Sequence, residues 1–226
     1  MSDIRLCMET SAEICSVALF QGTQLLELKE SKRERSHGSM ITLFIQELLD
    51  AQQLKIEDLD HVIVSSGPGS YTGLRVGYST AKGLCYPLDI PLISVSTLAA
   101  LGDGLIQKHN DPNVLYCPII DARRMEVYTS LYSPSGEELR SPEALIMDQE
   151  FIDTMRKYGK TIIFGGSGAE KLQDTNMLPE AEYDLEIYPS AIYLINQAEH
   201  MIKNDKFENL AYSEPYYIKS VYIHTK

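Results

Sequence analysis

The sequence has no uninterrupted apolar stretch long enough to cross a bilayer, and polar and apolar residues alternate from the first residues, unlike a signal peptide. Cysteine is scarce. Cys7, Cys15, Cys85 and Cys117 sit inside apolar runs without CxxC spacing. They read as reduced core residues of a cytoplasmic protein, which excludes a disulfide framework and a zinc site. Positive charge is short as well: 20 Lys and Arg stand against 32 Asp and Glu, a formal net charge of −12. Nucleic-acid binding rests largely on neutralising phosphates with Lys and Arg, so this chain is a poor sole binder of RNA. The one basic cluster, Lys29-Glu30-Ser31-Lys32-Arg33-Glu34-Arg35, is interleaved with acids, as on a solvated strand end and loop. There is no GxxxxGK[ST] phosphate loop. His37, His61, His109, His200 and His224 are scattered, with no HxxxH or HExxH pair, and His37 reads as a polar loop residue. Gly166-Ser167-Gly168 lacks the flanking pattern of a nucleophile elbow, and no Cys/His spacing suggests a protease.

What is present centres on Ser65-Ser66-Gly67-Pro68-Gly69-Ser70-Tyr71-Thr72-Gly73-Leu74-Arg75-Val76-Gly77. A β-branched run over 61–64 precedes it as a buried strand, and 74–86 follows with helical composition. Such a turn either presents bare N–H groups to an anion at a helix N-terminus or simply lets a helix pack closely on a sheet. Within the helix, Gly73, Gly77, Ala81 and Cys85 recur every four residues along one side. Each interior glycine costs roughly 0.5–1 kcal/mol against alanine, so close packing against a neighbour is expected there.

The 226 residues, 44% hydrophobic and 23% charged, suit one large or two small globular domains. Strands are expected over 4–8, 15–20 and 25–29, with Gln21-Gly22-Thr23 as a hairpin turn. A helix follows over 39–53, where Met40, Ile41, Phe44, Ile45, Leu48 and Leu49 form a broad apolar face. The central strand and helix come next, then a strand over 91–95 and a helix over 98–106 capped by Thr97. The pattern restarts at Val114, with strands over 114–120 and 126–132 and a weak third near 138–140. A helix over 151–158, a strand over 161–164 and a helix after Gly165-Gly166-Ser167-Gly168 complete the copy. Residues 190–203 read as a further helix, and the tyrosine-rich stretch 212–222 as an extended arm on the body. Two βββαβα units, each with an acid closing its first strand (Glu9, Asp121), imply a duplicated α/β fold with lobes over 1–105 and 106–226 and a cleft between them.

On that plan, Glu9-Thr10-Ser11 and Asp121-Ala122-Arg123 stand where an actin-like ATPase has its two phosphate loops, and Gly165 and Gly166 stand where it approaches adenosine. Ordinary hairpin turns inherited with the fold account for the same residues.

The Ser65-to-Arg75 string resembles the signature of the TsaB family of bacterial tRNA threonylcarbamoyladenosine biosynthesis proteins. Its continuation through Ala81-Lys82-Gly83-Leu84 and Ser94-Val95-Ser96-Thr97-Leu98 fits as well, as do Cys15-Ser16-Val17-Ala18-Leu19 and Asp121-Ala122-Arg123-Arg124-Met125-Glu126-Val127-Tyr128. Glu9-Thr10-Ser11 matches with Glu9 where that family more often has Asp. The resemblance spans roughly the first 130 residues and loosens beyond. It implies a duplicated actin-like (ASKHA, RNase H-like) fold and a non-catalytic scaffold. The partner would be a TsaD-like catalytic paralogue that holds metal and nucleotide, joined by a TsaE-like ATPase. Such a chain needs no cofactor of its own, reaches tRNA only through the complex and works in the cytoplasm, away from membranes.

Two functional classes follow. One is the scaffold, with a partner interface expected on Met40, Leu43, Phe44, Gly73, Arg75, Gly77 and Ala81, which a second copy would cover when the partner is absent. The other is an ATP-dependent small-molecule kinase using Glu9, Thr10, Ser11, Asp121, Gly165 and Gly166, residues that in the scaffold form at most a relic nucleotide site.

Overall fold

The computed structural model describes residues 3–32 and 37–219. Residues 33–35 of the basic cluster, the His37 side chain and the end of the arm from Ser220 through Tyr222 lie outside them.

Two five-stranded sheets repeat one topology. The first comprises β1 (Ile4–Glu9), β2 (Cys15–Gln21), β3 (Gln24–Ser31), β4 (His61–Gly67) and β5 (Leu92–Ser96), in the order β3-β2-β1-β4-β5. The second comprises β6 (Leu115–Asp121), β7 (Glu126–Tyr132), β8 (Glu138–Ile146), β9 (Ile162–Gly165) and β10 (Glu182–Asp184), in the order β8-β7-β6-β9-β10. In each, the first two hairpin partners run antiparallel and the remaining strands join in parallel. This is the duplicated actin-like α/β fold. The third strand of the second copy is longer than its composition suggests: β8 runs nine residues and tolerates Pro142 because it is an edge strand.

The helices are α1 (His37–Ala51), α2 (Tyr71–Leu88), α3 (Thr97–His109), α4 (Gln149–Arg156), α5 (Ala169–Asp174) and α6 (Leu194–Lys203). The α1 face predicted from periodicity (Met40, Ile41, Phe44, Ile45, Leu48, Leu49) is buried on the first sheet together with Tyr78, Ala81 and Cys85 of α2. The opposite face of that sheet is covered by Ala100 of α3 and by Leu194, Ile195 and Ala198 of α6. Covered on both sides, β1 is buried along its whole length. Its one cation, Arg5, is matched by Asp3 and by Glu199 of α6, each at 2.5 Å. The second sheet packs α4 and α5 on one face and Leu98, Leu101 and Leu105 of α3 on the other, so α3 lies between the lobes.

A break at residue 105 therefore does not describe the packing. After Asp184 the chain returns to the first lobe. Glu30 accepts hydrogen bonds from Ser16, Ser190 and Tyr188 (2.7, 2.6 and 2.8 Å), pinning the crossover, and α6 then docks on β4 and β5. Burial and the bond to Glu30 push the Tyr188 phenol up to about 12. The arm crosses both lobes: the Tyr216 N–H donates to Ser66 O at 2.8 Å, Tyr217 packs on Tyr71, and Lys219 pairs with Glu126 of β7.

Helix α2 starts at Tyr71, earlier than its composition indicates, because the Ser70 hydroxyl accepts from the Gly73 N–H as an N-cap. Likewise Ser96, not Thr97, caps α3. The small stripe on α2 faces inward, which corrects its assignment to a partner interface. A Cβ on Gly73 or Gly77 would sit under 3.0 Å from Thr10 of this chain, and Ala81 is fully buried. The close neighbour that offsets the glycine cost is the β1–β2 turn, a backbone that cannot retreat without dragging the sheet. Substituting Gly77→Leu is accordingly expected to destabilise the fold itself by about 1–3 kcal/mol. Chemical denaturation checks this; wild-type stability in the variant would contradict the packing described.

Candidate functional site

The parallel pairing of β1 with β4 sets Ser65 beside the last residue of β1, Glu9. One carboxylate oxygen of Glu9, Oε1, accepts from the Ser65 hydroxyl at 2.8 Å and from the Ser11 N–H at 2.5 Å. The other, Oε2, is buried with no partner among the described residues, as are the Thr10 and Ser11 hydroxyl oxygens. Burial pushes the Glu9 carboxyl above its ordinary range, and the bonds from Ser11 and Ser65 oppose that shift. Above this group lies the start of α2. The Ser70 N–H donates to Ser11 O at 2.6 Å, and a Cβ on Gly69 would collide with Ser11. Where the first phosphate loop was expected, Glu9, Thr10 and Ser11 are buried by their own chain.

Asp121 closes β6 as Glu9 closes β1, but its surroundings differ. Its side chain is 44% exposed, accepts from Lys171 Nζ at 2.7 Å and from the Arg123 N–H at 2.9 Å, and borders an open hollow of about 450 Å³ with Ser167, Glu170 and Lys171. Gly165 and Gly166 do not offer an open glycine surface to an adenosine. A Cβ on Gly165 would strike Leu105 and Ile187, and one on Gly166 would strike Ile119 and Leu101, so both serve the contact with α3. No interaction joins Glu9 to Asp121 among the described residues. Of the six residues expected at a nucleotide site, Glu9, Thr10, Ser11, Gly165 and Gly166 are thus buried and Asp121 alone is exposed. No three His, Cys, Asp or Glu side chains gather as a metal site among the described residues. His61 contacts Asp3 at 3.1 Å, and His109 contacts Asp184 at 2.8 Å.

The expected interface residues also separate. Met40, Phe44, Gly73, Gly77 and Ala81 belong to the interior of the first lobe. Leu43 and Arg75 are exposed; Leu43 is 51% accessible, and the Arg75 guanidinium lies 4.3 Å from the centre of the Tyr71 ring. The outer face of α2 carries Thr72, Arg75, Ser79, Gly83 and Tyr86, all exposed, with Tyr86 at 82%. A Cβ on Gly83 meets nothing within 4 Å. Sequence reasoning passed over this second stripe, although its i, i+3, i+4 spacing runs parallel to the buried one.

The chain matches the family model described as "TsaD: tRNA N6-adenosine threonylcarbamoyltransferase" over residues 31–220. It is 31% identical over 194 residues to the tRNA threonylcarbamoyladenosine biosynthesis protein TsaB of Buchnera aphidicola subsp. Schizaphis graminum, covering 84% of this chain and 90% of that relative. The protein of the same name from Escherichia coli (strain K12) is 29% identical over 227 residues, covering 95% of this chain and 94% of the relative. Among solved structures, YeaZ from Pseudomonas aeruginosa superposes with a TM-score of 0.77 at 23% identity, covering 95% of this chain and 99% of that chain, a likeness of fold.

The buried carboxyl has a testable pH signature. Because the folded-state pKa of Glu9 is raised above its ordinary 4.5, the folded protein holds the proton more tightly than the unfolded chain. Its contribution is therefore fully present below pH 4.5 and lost as pH rises through the folded value. Substitution Glu9→Gln, which keeps the shape and an acceptor oxygen, should gain stability relative to wild type as pH rises through that window. Unfolding free energies measured across the range check this; a constant difference between the two proteins would contradict it.

Proposed function

The chain belongs to the TsaB family of tRNA threonylcarbamoyladenosine biosynthesis proteins, and from that premise we propose that it is the non-catalytic scaffold subunit that binds and activates a TsaD-like catalytic subunit. The observation that carries this reading is the exposed outer face of α1 and α2. These helices pack side by side on one face of the first sheet, with Leu43 and Tyr86 exposed and the small residues Ser79 and Gly83 between polar neighbours. A bare Gly83 on an exposed helix side gains nothing within the monomer and lets another helix approach closely. Two helices from each partner would form a four-helix packing unit, and a second copy of this chain would take the same face when the partner is absent.

The remaining roles follow from the same reading. Metal and nucleotide belong to the TsaD-like and TsaE-like subunits, because here the turn after β1 is filled from within by α2. With a net charge of −12, the chain meets tRNA through the complex, and it works in the cytoplasm. No helix of the described residues is long and apolar enough to cross a membrane.

Substitution Gly83→Arg separates this face from the interior. The change adds helix propensity of roughly 0.5–1 kcal/mol and touches no buried atom, so melting should occur at or above the wild-type temperature. Affinity for the TsaD-like subunit, measured by calorimetry on the same preparation, should fall at least tenfold. Wild-type affinity in the folded variant would sink the helical-face assignment.

A further inference from the structure

From Phe207 onward the arm is fixed to the first lobe along most of its length. The Glu208 N–H donates to Leu92 O at 2.8 Å and the Glu208 carboxylate accepts from the Ser94 hydroxyl, which covers the outer edge of β5. Leu210 packs against the first core, and Pro215 is buried. The next contact is made for a backbone: Gly67 has φ of +107°, and a Cβ there would lie 2.7 Å from Tyr216 O. The Tyr216 N–H bond to Ser66 O and the Tyr217 ring, centred 5.1 Å from that of Tyr71, complete this root.

The hold on the second lobe is of a different kind. Among the described residues it consists of one side chain, Lys219, which pairs with Glu126 and lies 5.9 Å from the centre of the Tyr128 ring. On that side of the lobe Asp121, Glu126, Glu170 and Asp174 stand against Lys171, Arg123 and Arg124, which leaves one carboxylate over. Lys171 is committed to Asp121 and to the Glu126 carbonyl, so the Glu126 carboxylate is open to the cation on the arm. Both members of the pair are partly solvated, at 29% and 33%, and such a pair is weak by itself. A firm root and a one-residue catch describe a segment that opens at one end.

Where the arm leaves the first lobe it touches the outer stripe of α2. The Arg75 guanidinium is stacked on Tyr71 at 4.3 Å, and its Nε–H donates to the Tyr217 hydroxyl at 3.4 Å. Its terminal N–H groups make no hydrogen bond among the described residues, and Glu214 of the arm acts on it electrostatically without forming an ion pair. The fork is thus held in one orientation with its terminal edge unused.

We propose that residues 207–219 are a strap closed on the second lobe by a Lys219–Glu126 latch, and that the closed strap pre-organises Arg75 for docking on the outer face of α2. The docking role rests on the scaffold reading; the latch does not. A long side chain ordered beforehand costs less to immobilise on binding, so opening the latch on one lobe weakens docking on the other.

The test uses the full chain with Lys219→Glu, which opens the latch, and with Lys219→Cys and Glu126→Cys together, which lock it on oxidation. The four native cysteines are buried and do not compete. Exchange of the Tyr216 amide, followed by NMR on the isolated chain, should quicken at least tenfold in Lys219→Glu at an unchanged melting temperature. It should slow at least tenfold when the double variant is oxidised. Affinity for purified TsaD-like subunit should fall at least fivefold for Lys219→Glu and stay at or above wild type for the oxidised double variant. Exchange that ignores both changes overturns the latch, as does a double variant that forms no disulfide. Quickened exchange with undiminished affinity overturns the role in docking. A wild-type chain that does not bind the TsaD-like subunit removes the scaffold reading and the docking role with it, while the exchange results still decide the latch.

Discussion

The contact between the glycine side of α2 and the turn after β1 constrains the rest of the molecule. Gly69, Gly73 and Gly77 let Thr10 and Ser11 lie against the helix at distances no Cβ permits. That approach fixes α2 on the first sheet with one face turned inward and the other fully outward. It also buries Glu9, whose carboxyl then depends on the Ser65 hydroxyl and the Ser11 N–H for its only hydrogen bonds within the described residues. One packing decision thus buries the turn after β1 and leaves outward a helical surface that the monomer does not use.

The lobes are stitched together by elements far apart in sequence. Helix α3 serves both sheets, α6 returns to the first through the Arg5–Glu199 pair, and the arm runs from Ser66 to Glu126. Asp184 reinforces the junction: it is held below its ordinary pKa by Lys108 and His109 at the end of α3, which outweigh the effect of its burial. A surface contact made by one lobe is therefore made by a body with a continuous interior.

Much of this was legible in the residues, and what was not has definite causes. Strand and helix order, the duplication and the acids closing β1 and β6 follow from local periodicity, which neighbouring residues determine. The small stripe on α2 was readable as a close contact, but spacing cannot say whether the neighbour is a partner helix or a turn sixty residues earlier in the same chain. Gly165 and Gly166 posed the same ambiguity, resolved by Leu105, Ile187 and Leu101. The return of α6 to the first sheet leaves no local trace, since its apolar face would suit either lobe. The outer stripe with Gly83 escaped notice because a polar helix face is what solvent alone would produce.

The central proposal is that this chain acts as a scaffold that binds no nucleotide of its own, its turn after β1 being packed against α2 through Thr10 and Ser11. Titration of the isolated chain with magnesium ATP, followed by calorimetry, tests it most directly. The account predicts no saturable binding. Saturable binding that disappears when Glu9 and Asp121 are both replaced by alanine would contradict it and restore the kinase reading.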